Sequence, residues 1–203
     1  MKLTVIGDPH GLIYNWKKIV EESEMSISVG DLGFKNEWES AWDFLQERDF
    51  VGNHFNNPGN HEYGPFVENH PLSTGNFRYF TELNLFTVRG AASIDKHLRT
   101  EGIDWFPNEE LTYQEQLEAF DWYCKVKPEI VISHDCPQSV LEKMFKMGWT
   151  YGKSQTRTML EMMLQEHQPA FWLFGHYHES RDVMINGTRF ICLAELETFE
   201  IEI

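Results

Sequence analysis

The chain has 203 residues, 41% of them hydrophobic and 24% charged, with a formal net charge of −15. That length and balance fit one domain over residues 1–203 with a full core, and give no compositional sign of disorder. The acidic balance, with no run of Lys or Arg, argues against general nucleic-acid binding, and no stretch reaches the roughly 20 apolar residues of a membrane span.

In chain order, residues 3–6 form a short apolar strand stopped by Gly7, and Asn15 can cap a helix running to about Glu22. Residues 26–29 read as a second strand, stopped by Gly30. Over residues 36–48, Trp38, Ala41, Trp42 and Leu45 recur at helix spacing. A strand around residues 51–56 leads into the turn Asn57-Pro58-Gly59-Asn60. Residues 77–80 and 85–89 are two short strands, residues 91–94 extend them as a hairpin, and 95–111 are mostly loop, with Glu109-Glu110 a solvated helix start. A helix over 112–125, with Leu117, Phe120 and Cys124 along its apolar stripe, ends before Pro128. A buried strand over 129–133 follows, then helices over 137–147 and 154–167, the second filling core with Met159, Met162 and Met163. After the strand 170–174, the runs 181–185, 188–193 and 198–203 alternate apolar and polar residues, with Asn186-Gly187 as a hairpin turn. Strand–helix alternation followed by antiparallel strands predicts an α/β protein with a mixed sheet, or two packed sheets with helices outside.

Cys124, Cys136 and Cys192 are odd in number and widely spaced, which suits neither a disulfide framework nor a zinc knuckle. They read as reduced thiols, and the apolar opening is too short for a signal peptide. The expectation is a soluble, cytoplasmic protein.

The polar residues carry the chemistry. Asp8-Pro9-His10 follows the first strand, Asp31 the second, Asn60-His61-Glu62 the third, His134-Asp135 the strand 129–133, and His176-Tyr177-His178 the strand 170–174. Ligands of α/β sheets bind beyond the carboxyl ends of strands, so neighbouring strands would bring all five clusters to one rim. Imidazole nitrogens and hard oxygens without a thiolate suit manganese, iron, zinc or a similar cation. In extended chain, i and i+2 share a side, so Asp8 and His10 can grip one ion and His176 and His178 can reach the same region. Asp31 can bridge two ions, and the glycines beside the ligands (Gly7, Gly30, Gly59, Gly175) permit sharp turns and close approach. Cations would also give so acidic a chain the local positive charge an anionic substrate needs.

In this order the motifs Asp8-x-His10, Gly30-Asp31, Gly59-Asn60-His61-Glu62, the isolated His134 and Gly175-His176-x-His178 resemble those of the calcineurin-like metallophosphoesterase superfamily. The segment from Val88 to Asp95, the 174–178 run and the ending from Ala194 to Phe199 look like a compact bacterial and bacteriophage subgroup. The resemblance implies an αββα sandwich of two mixed sheets flanked by helices, with two divalent cations at one edge. Manganese comes first among them, and iron, zinc, nickel or magnesium are alternatives. By position, Asp8, His10, Asp31 and His178 would take one ion, and Asp31, Asn60, His134 and His176 the other. His61, facing the substrate, and the bridging Asp31 would be the catalytic residues. Many relatives carry a second Asp three residues after the Asp31 equivalent, where it orients that histidine. Here Phe34 stands there and Lys35 replaces the Arg that follows in phosphoprotein phosphatases, which weakens the case for a Ser/Thr protein phosphatase. Asp135 and Glu62 are the carboxylates that could support His61 instead.

The expected activity is hydrolysis of a phosphate ester by a water that two cations acidify and share as hydroxide. A phosphomonoester on a small molecule or phosphoprotein comes first. A phosphodiesterase acting on cyclic nucleotides or nucleic-acid ends is the alternative, and a non-catalytic scaffold of the same fold is a third reading. Arg89 and Arg157 are candidates to grip substrate phosphate with their planar forks.

Overall fold

The computed structural model describes residues 2–146 and 152–202. The first half runs β1 (Lys2–Ile6), α1 (Ile13–Glu21), β2 (Met25–Ser28), α2 (Lys35–Glu47) and β3 (His54–Asn56). The hairpin β4 (Phe77–Phe80) and β5 (Leu85–Val88) precedes α3 (Tyr113–Val126), β6 (Ile130–Ser133), α4 (Gln138–Phe145) and α5 (Gln155–Glu166). Then come β7 (Phe171–Phe174), β8 (Arg181–Ile185), β9 (Thr188–Cys192) and β10 (Thr198–Glu202). Short 3-10 turns occupy Gly64–Phe66, Thr81–Leu83, Lys96–Leu98 and Pro107–Glu109.

Two mixed sheets result, with strand orders β10-β1-β2-β3 and β4-β5-β6-β7-β9-β8. Strand alternation sorts their side chains into layers. Leu3 and Val5 of β1, Ile27 of β2 and Phe55 of β3 meet Leu85, Ile130, Ile132, Leu173 and Ile191 between the sheets. Ile6 faces the other way, onto Trp16 of α1 and Trp38, Ala41 and Leu45 of α2. On the far side of the second sheet, Val131, Trp172 and Phe174 pack against Ala119 and Tyr123 of α3, Val140 and Leu141 of α4, and Met159, Leu160 and Met163 of α5. This is an αββα sandwich. Its central strands are buried on both faces, which is why they read as unbroken apolar runs. No helix among the described residues is long and apolar enough to cross a membrane.

The elements depart from expectation in instructive places. Helix α1 starts at Ile13 behind Leu12, without a side-chain cap, so Asn15 lies inside it. Residues 91–94 are not strand. Asn60 donates to Ser93 and Gly90 N–H bonds Pro58 C=O, so this segment is tied to the turn after β3 rather than to the hairpin. Helix α3 buries Ala119 and Tyr123, while Leu117 is exposed and Phe120 and Cys124 only half-buried. Tyr123 sets that rotation, its ring on Phe86 and its hydroxyl donating to His167 C=O. Met162 is exposed, and Glu109 is buried rather than solvated. The helix expected to end at Met147 stops at Phe145, and Met147 lies outside the described residues. All three cysteines are free, Cys136 and Cys192 buried.

Candidate metal centre

The parallel strands β1, β2 and β3 of one sheet and β6 and β7 of the other end at the same edge of the sandwich, and all five polar clusters meet there. Asp8, Asp31 and His134 are fully buried and Asn60 nearly so. One atom each from Asp8, His10 and His178 fall within 4.8 Å of one another, as do atoms of Asp8, Asp31 and His134. Asp31 faces both ways, with Oδ2 3.5 Å from His10 Nε2 and Oδ1 3.3 Å from His134 Nε2.

The backbone route differs from the extended one expected. His10, Asp31, His176 and His178 all have positive φ (43°, 52°, 69° and 52°). Non-glycine residues seldom adopt this conformation, and such strain collects at functional sites. The kink after β7 sends the two histidines apart. His178 Nε2 lies 2.8 Å from His10 Nε2, while the His176 ring packs on that of His134 at 5.0 Å. Gly59 and Gly175 serve by lacking a side chain. A Cβ on Gly59 would run into the Asp31 carboxylate and His134 Nε2, and one on Gly175 into Asp8 Oδ1.

Hydrogen bonds aim the donor atoms. Val29 C=O can only accept, so His134 Nδ1 carries the proton of their 3.1 Å bond and, in the neutral ring that a metal takes, Nε2 is left with its lone pair. That lone pair looks at two oxygens, Asn60 Oδ1 at 3.0 Å and Asp31 Oδ1 at 3.3 Å. Asn60 holds its oxygen inward because its amide donates to Ser93. The His176 N–H donates to Asp8 Oδ2 (2.6 Å) and the His61 N–H to Asp31 Oδ1 (2.8 Å). Asp8 Oδ1, Asp31 Oδ2 and His176 Nε2 are buried without a partner. Converging lone pairs and unpartnered buried atoms are unstable unless a cation lies among them, so the residues present fit divalent metals.

The buried groups set one another's charge. Burial pushes the Asp8 carboxyl up, His134 opposing and Asp31 adding. Burial pushes Asp31 up too, but His134 wins and holds it well below the usual range. Burial pulls His134 down, yet Asp31 and Asp8 outweigh it and leave it raised. Burial, reinforced by His134, holds His176 well below its ordinary value, a neutral imidazole of the kind a metal takes.

His61 is half-buried beside these groups, its ring 5.5 Å from that of His10. Burial lowers its pKa, with Asp31 opposing and Arg99 lowering it further. Neither carboxylate proposed to support it does so. Glu62 accepts from Leu32 N–H, Trp38 Nε1, Asn56 Nδ2 and Gly59 N–H, tying the loops after β2 and β3 together. Asp135 accepts from Tyr177 OH and Cys136 N–H and pairs with Arg157 at 3.3 Å. It thereby joins the loops carrying His134 and His176.

Arg89 and Arg157, expected to face substrate, are each 1% exposed and engaged by groups of the protein itself. Arg89 donates to Asn76 and to Asn108 C=O, and Arg157 to Gln138, Asp135 and Gly152 C=O. Lys35 opens α2 in a pair with Glu39. The guanidinium beside His61 is that of Arg99, its Nη2 3.4 Å from His61 Nε2. It sits in an irregular loop with no strand end or motif to mark it.

The sequence model of the calcineurin-like phosphoesterases matches residues 1–180. The chain belongs to that family and is a metal-dependent hydrolase of phosphate esters. No curated protein sequence matches it. Among solved structures, the fold is similar to the phosphopantetheinyl hydrolase of Mycobacterium tuberculosis, with a TM-score of 0.57 at 15% identity over 96% of this chain and 89% of that one. A putative 5'-nucleotidase from Staphylococcus aureus gives 0.57 at 15% identity, covering 98% of this chain and 50% of the other. GAP50, the anchor in the inner membrane complex of Plasmodium, gives 0.56 at 13% over 96% and 71%.

Proposed function

We propose that the chain is a single-domain, cytoplasmic phosphomonoesterase with two divalent cations, manganese first among them. Asp8, His10, Asp31 and His178 would hold one, and Asp31, Asn60, His134 and His176 the other. Bound there, the cations supply positive charge for phosphate oxygens and acidify a water for attack. The chain's own groups supply the rest. Val29 fixes the tautomer of His134, Ser93 fixes the amide of Asn60, and the His61 and His176 amides hold the two carboxylates in place. The His61 imidazole, beside but outside the ligand set, can donate a proton or hydrogen bond to the leaving oxygen.

The observation that carries this reading is Asp31, whose two oxygens face separate histidine groups at 3.5 and 3.3 Å. A monoester dianion profits most from two cations, and the net charge of −15 disfavours a polyanionic nucleic acid. Small phosphorylated molecules and phosphoproteins are the proposed substrates. A scaffold of the same fold is the remaining reading, and the convergence of Asp8, His10, Asp31, His134 and His178 supports the enzyme.

The purified protein should turn over p-nitrophenyl phosphate with Mn²⁺ and stop with chelator. Preference for bis-p-nitrophenyl phosphate would make it a diesterase, and no turnover with any metal would sink the catalytic reading. Asp31→Asn should lose activity and metal together. His61→Ala should lose about 100-fold or more of kcat with its metal retained. Equal metal loss in both would make His61 a ligand.

A further inference from the structure

The loop between β5 and α3 is pinned at both ends to the segment that carries His61. At one end Asn60 Nδ2 donates to Ser93, and at the other Asn108 Nδ2 donates to Gly64 C=O while Phe106 packs on Tyr63. Between these anchors the loop folds on itself. Leu98 N–H bonds Asp95 C=O, Arg99 N–H bonds Lys96 C=O, and Thr100 N–H bonds the Asp104 carboxylate. The result hangs one side chain, Arg99, beside the His61 ring.

Its fork is aimed. Arg99 Nε donates to Asp95 Oδ1 at 2.9 Å and Nη2 to Asp95 Oδ2 at 2.7 Å, a bidentate grip that fixes the guanidinium plane. The same Nη2 stands 3.4 Å from His61 Nε2, and Nη1 reaches Asp104 C=O only at 3.4 Å. The side chain is 22% exposed, neither sealed in the core nor loose in solvent. The other arginines are placed differently. Arg48, Arg181 and Arg189 hold surface carboxylates, Arg78 lies over Phe55 and Phe80, and Arg89 and Arg157 are buried.

At 3.4 Å, Arg99 Nη2 gains at most a long, weak hydrogen bond from a neutral His61 ring. It gains far more when an anion enters and accepts from both. We propose that Arg99, oriented by Asp95, binds the phosphate of the substrate together with His61, the role expected of Arg89 and Arg157. This rests on the phosphoesterase reading above. Arg99 touches the substrate's charge, and Asp95 is a positioning residue acting through it.

The test is binding of inorganic phosphate to the metal-loaded protein by calorimetry, beside steady-state kinetics and bound-metal content. Arg99→Ala should weaken phosphate binding about tenfold or more and raise KM for p-nitrophenyl phosphate more than it lowers kcat, with metal content unchanged. Arg99→Lys should restore part of the affinity as a point charge. Asp95→Asn, which keeps the guanidinium but slackens its aim, should fall between wild type and Arg99→Ala. Unchanged phosphate affinity in Arg99→Ala overturns the proposal while leaving the hydrolase reading intact. A wild type without turnover whose phosphate binding still collapses in Arg99→Ala upholds Arg99 and sinks the hydrolase. A metal-loaded wild type that binds no phosphate overturns both.

Discussion

At the scale of single residues, the site is built by what is left out as much as by what is present. Gly59 precedes Asn60, and any Cβ there meets the Asp31 carboxylate and His134 Nε2 at 2.6 Å. Neither neighbour can yield cheaply. His134 is fully buried with its other nitrogen on Val29, and Asp31 holds the His61 amide. Gly59→Ala should therefore fold with a loss of about 1–3 kcal/mol, the usual cost of overpacking. The displaced ligands should lower metal affinity by at least about tenfold, read as bound metal after dialysis beside a urea melt. A variant that retains wild-type metal content would show that the two side chains relax freely, against the packing described. Gly59 was legible as a ligand neighbour because it stood in a motif. Arg99 was not legible, because a side chain delivered by a folded loop leaves no periodicity and follows no strand. The left-handed backbone at His10, Asp31, His176 and His178 was hidden for a different reason, since these residue types do not announce positive φ.

At the scale of the element, β3 shows how a short edge strand is secured. Only His54–Asn56 are strand, and Ser26 pairs across to His54, whose Nδ1 shares a 2.9 Å bond with Ser26 Oγ. The His54 ring lies against Phe50, and burial pulls its pKa down from 6.5 to about 4. The sign follows from proton counting. Between pH 6.5 and 4 the unfolded chain holds a proton at His54 that the folded chain does not. Stability from this residue is therefore full above the unfolded value and declines as pH falls toward the folded one. From about pH 7.5 to pH 5 the wild type should lose about 1–2 kcal/mol more than His54→Asn, which keeps a partner for Ser26 without titrating. Parallel urea melts at the two pH values measure the difference, and equal acid losses would show that His54 is already solvated. The sequence located the strands well where both faces are apolar, as in β6 and β7, because burial on two sides leaves an unmistakable run. It misplaced the buried face of α3 because Leu117 and Phe120 competed with Tyr123, and the edge-on ring contact and hydroxyl bond that favour Tyr123 come from β5 and from residue 167, far away in the chain.

At the scale of the whole molecule, a chain of net charge −15 seals two carboxylates at one edge of its sandwich. The order of the motifs disclosed this, because both sheets present the carboxyl ends of their parallel strands to that edge. Asp8 and Asp31 are close enough to repel, each has an unpartnered oxygen, and burial pushes the Asp8 carboxyl up although His134 opposes it. Such an arrangement weakens the metal-free fold and is offset when cations bind. Asp8→Asn tests this directly. Asparagine has the same volume, keeps an oxygen for the His176 amide and removes one of the two charges. In chelator, Asp8→Asn should melt at or above the wild type. With Mn²⁺ at about a hundred times its Kd, the wild type should gain roughly 2.7 kcal/mol, or about 5–10 °C in Tm, while the variant gains little. The two proteins should thus exchange order when metal is added. A variant that melts well below wild type in chelator would mean that the Asp8 charge supports the fold itself, and the claim that this edge is held open for a cation would fail with it.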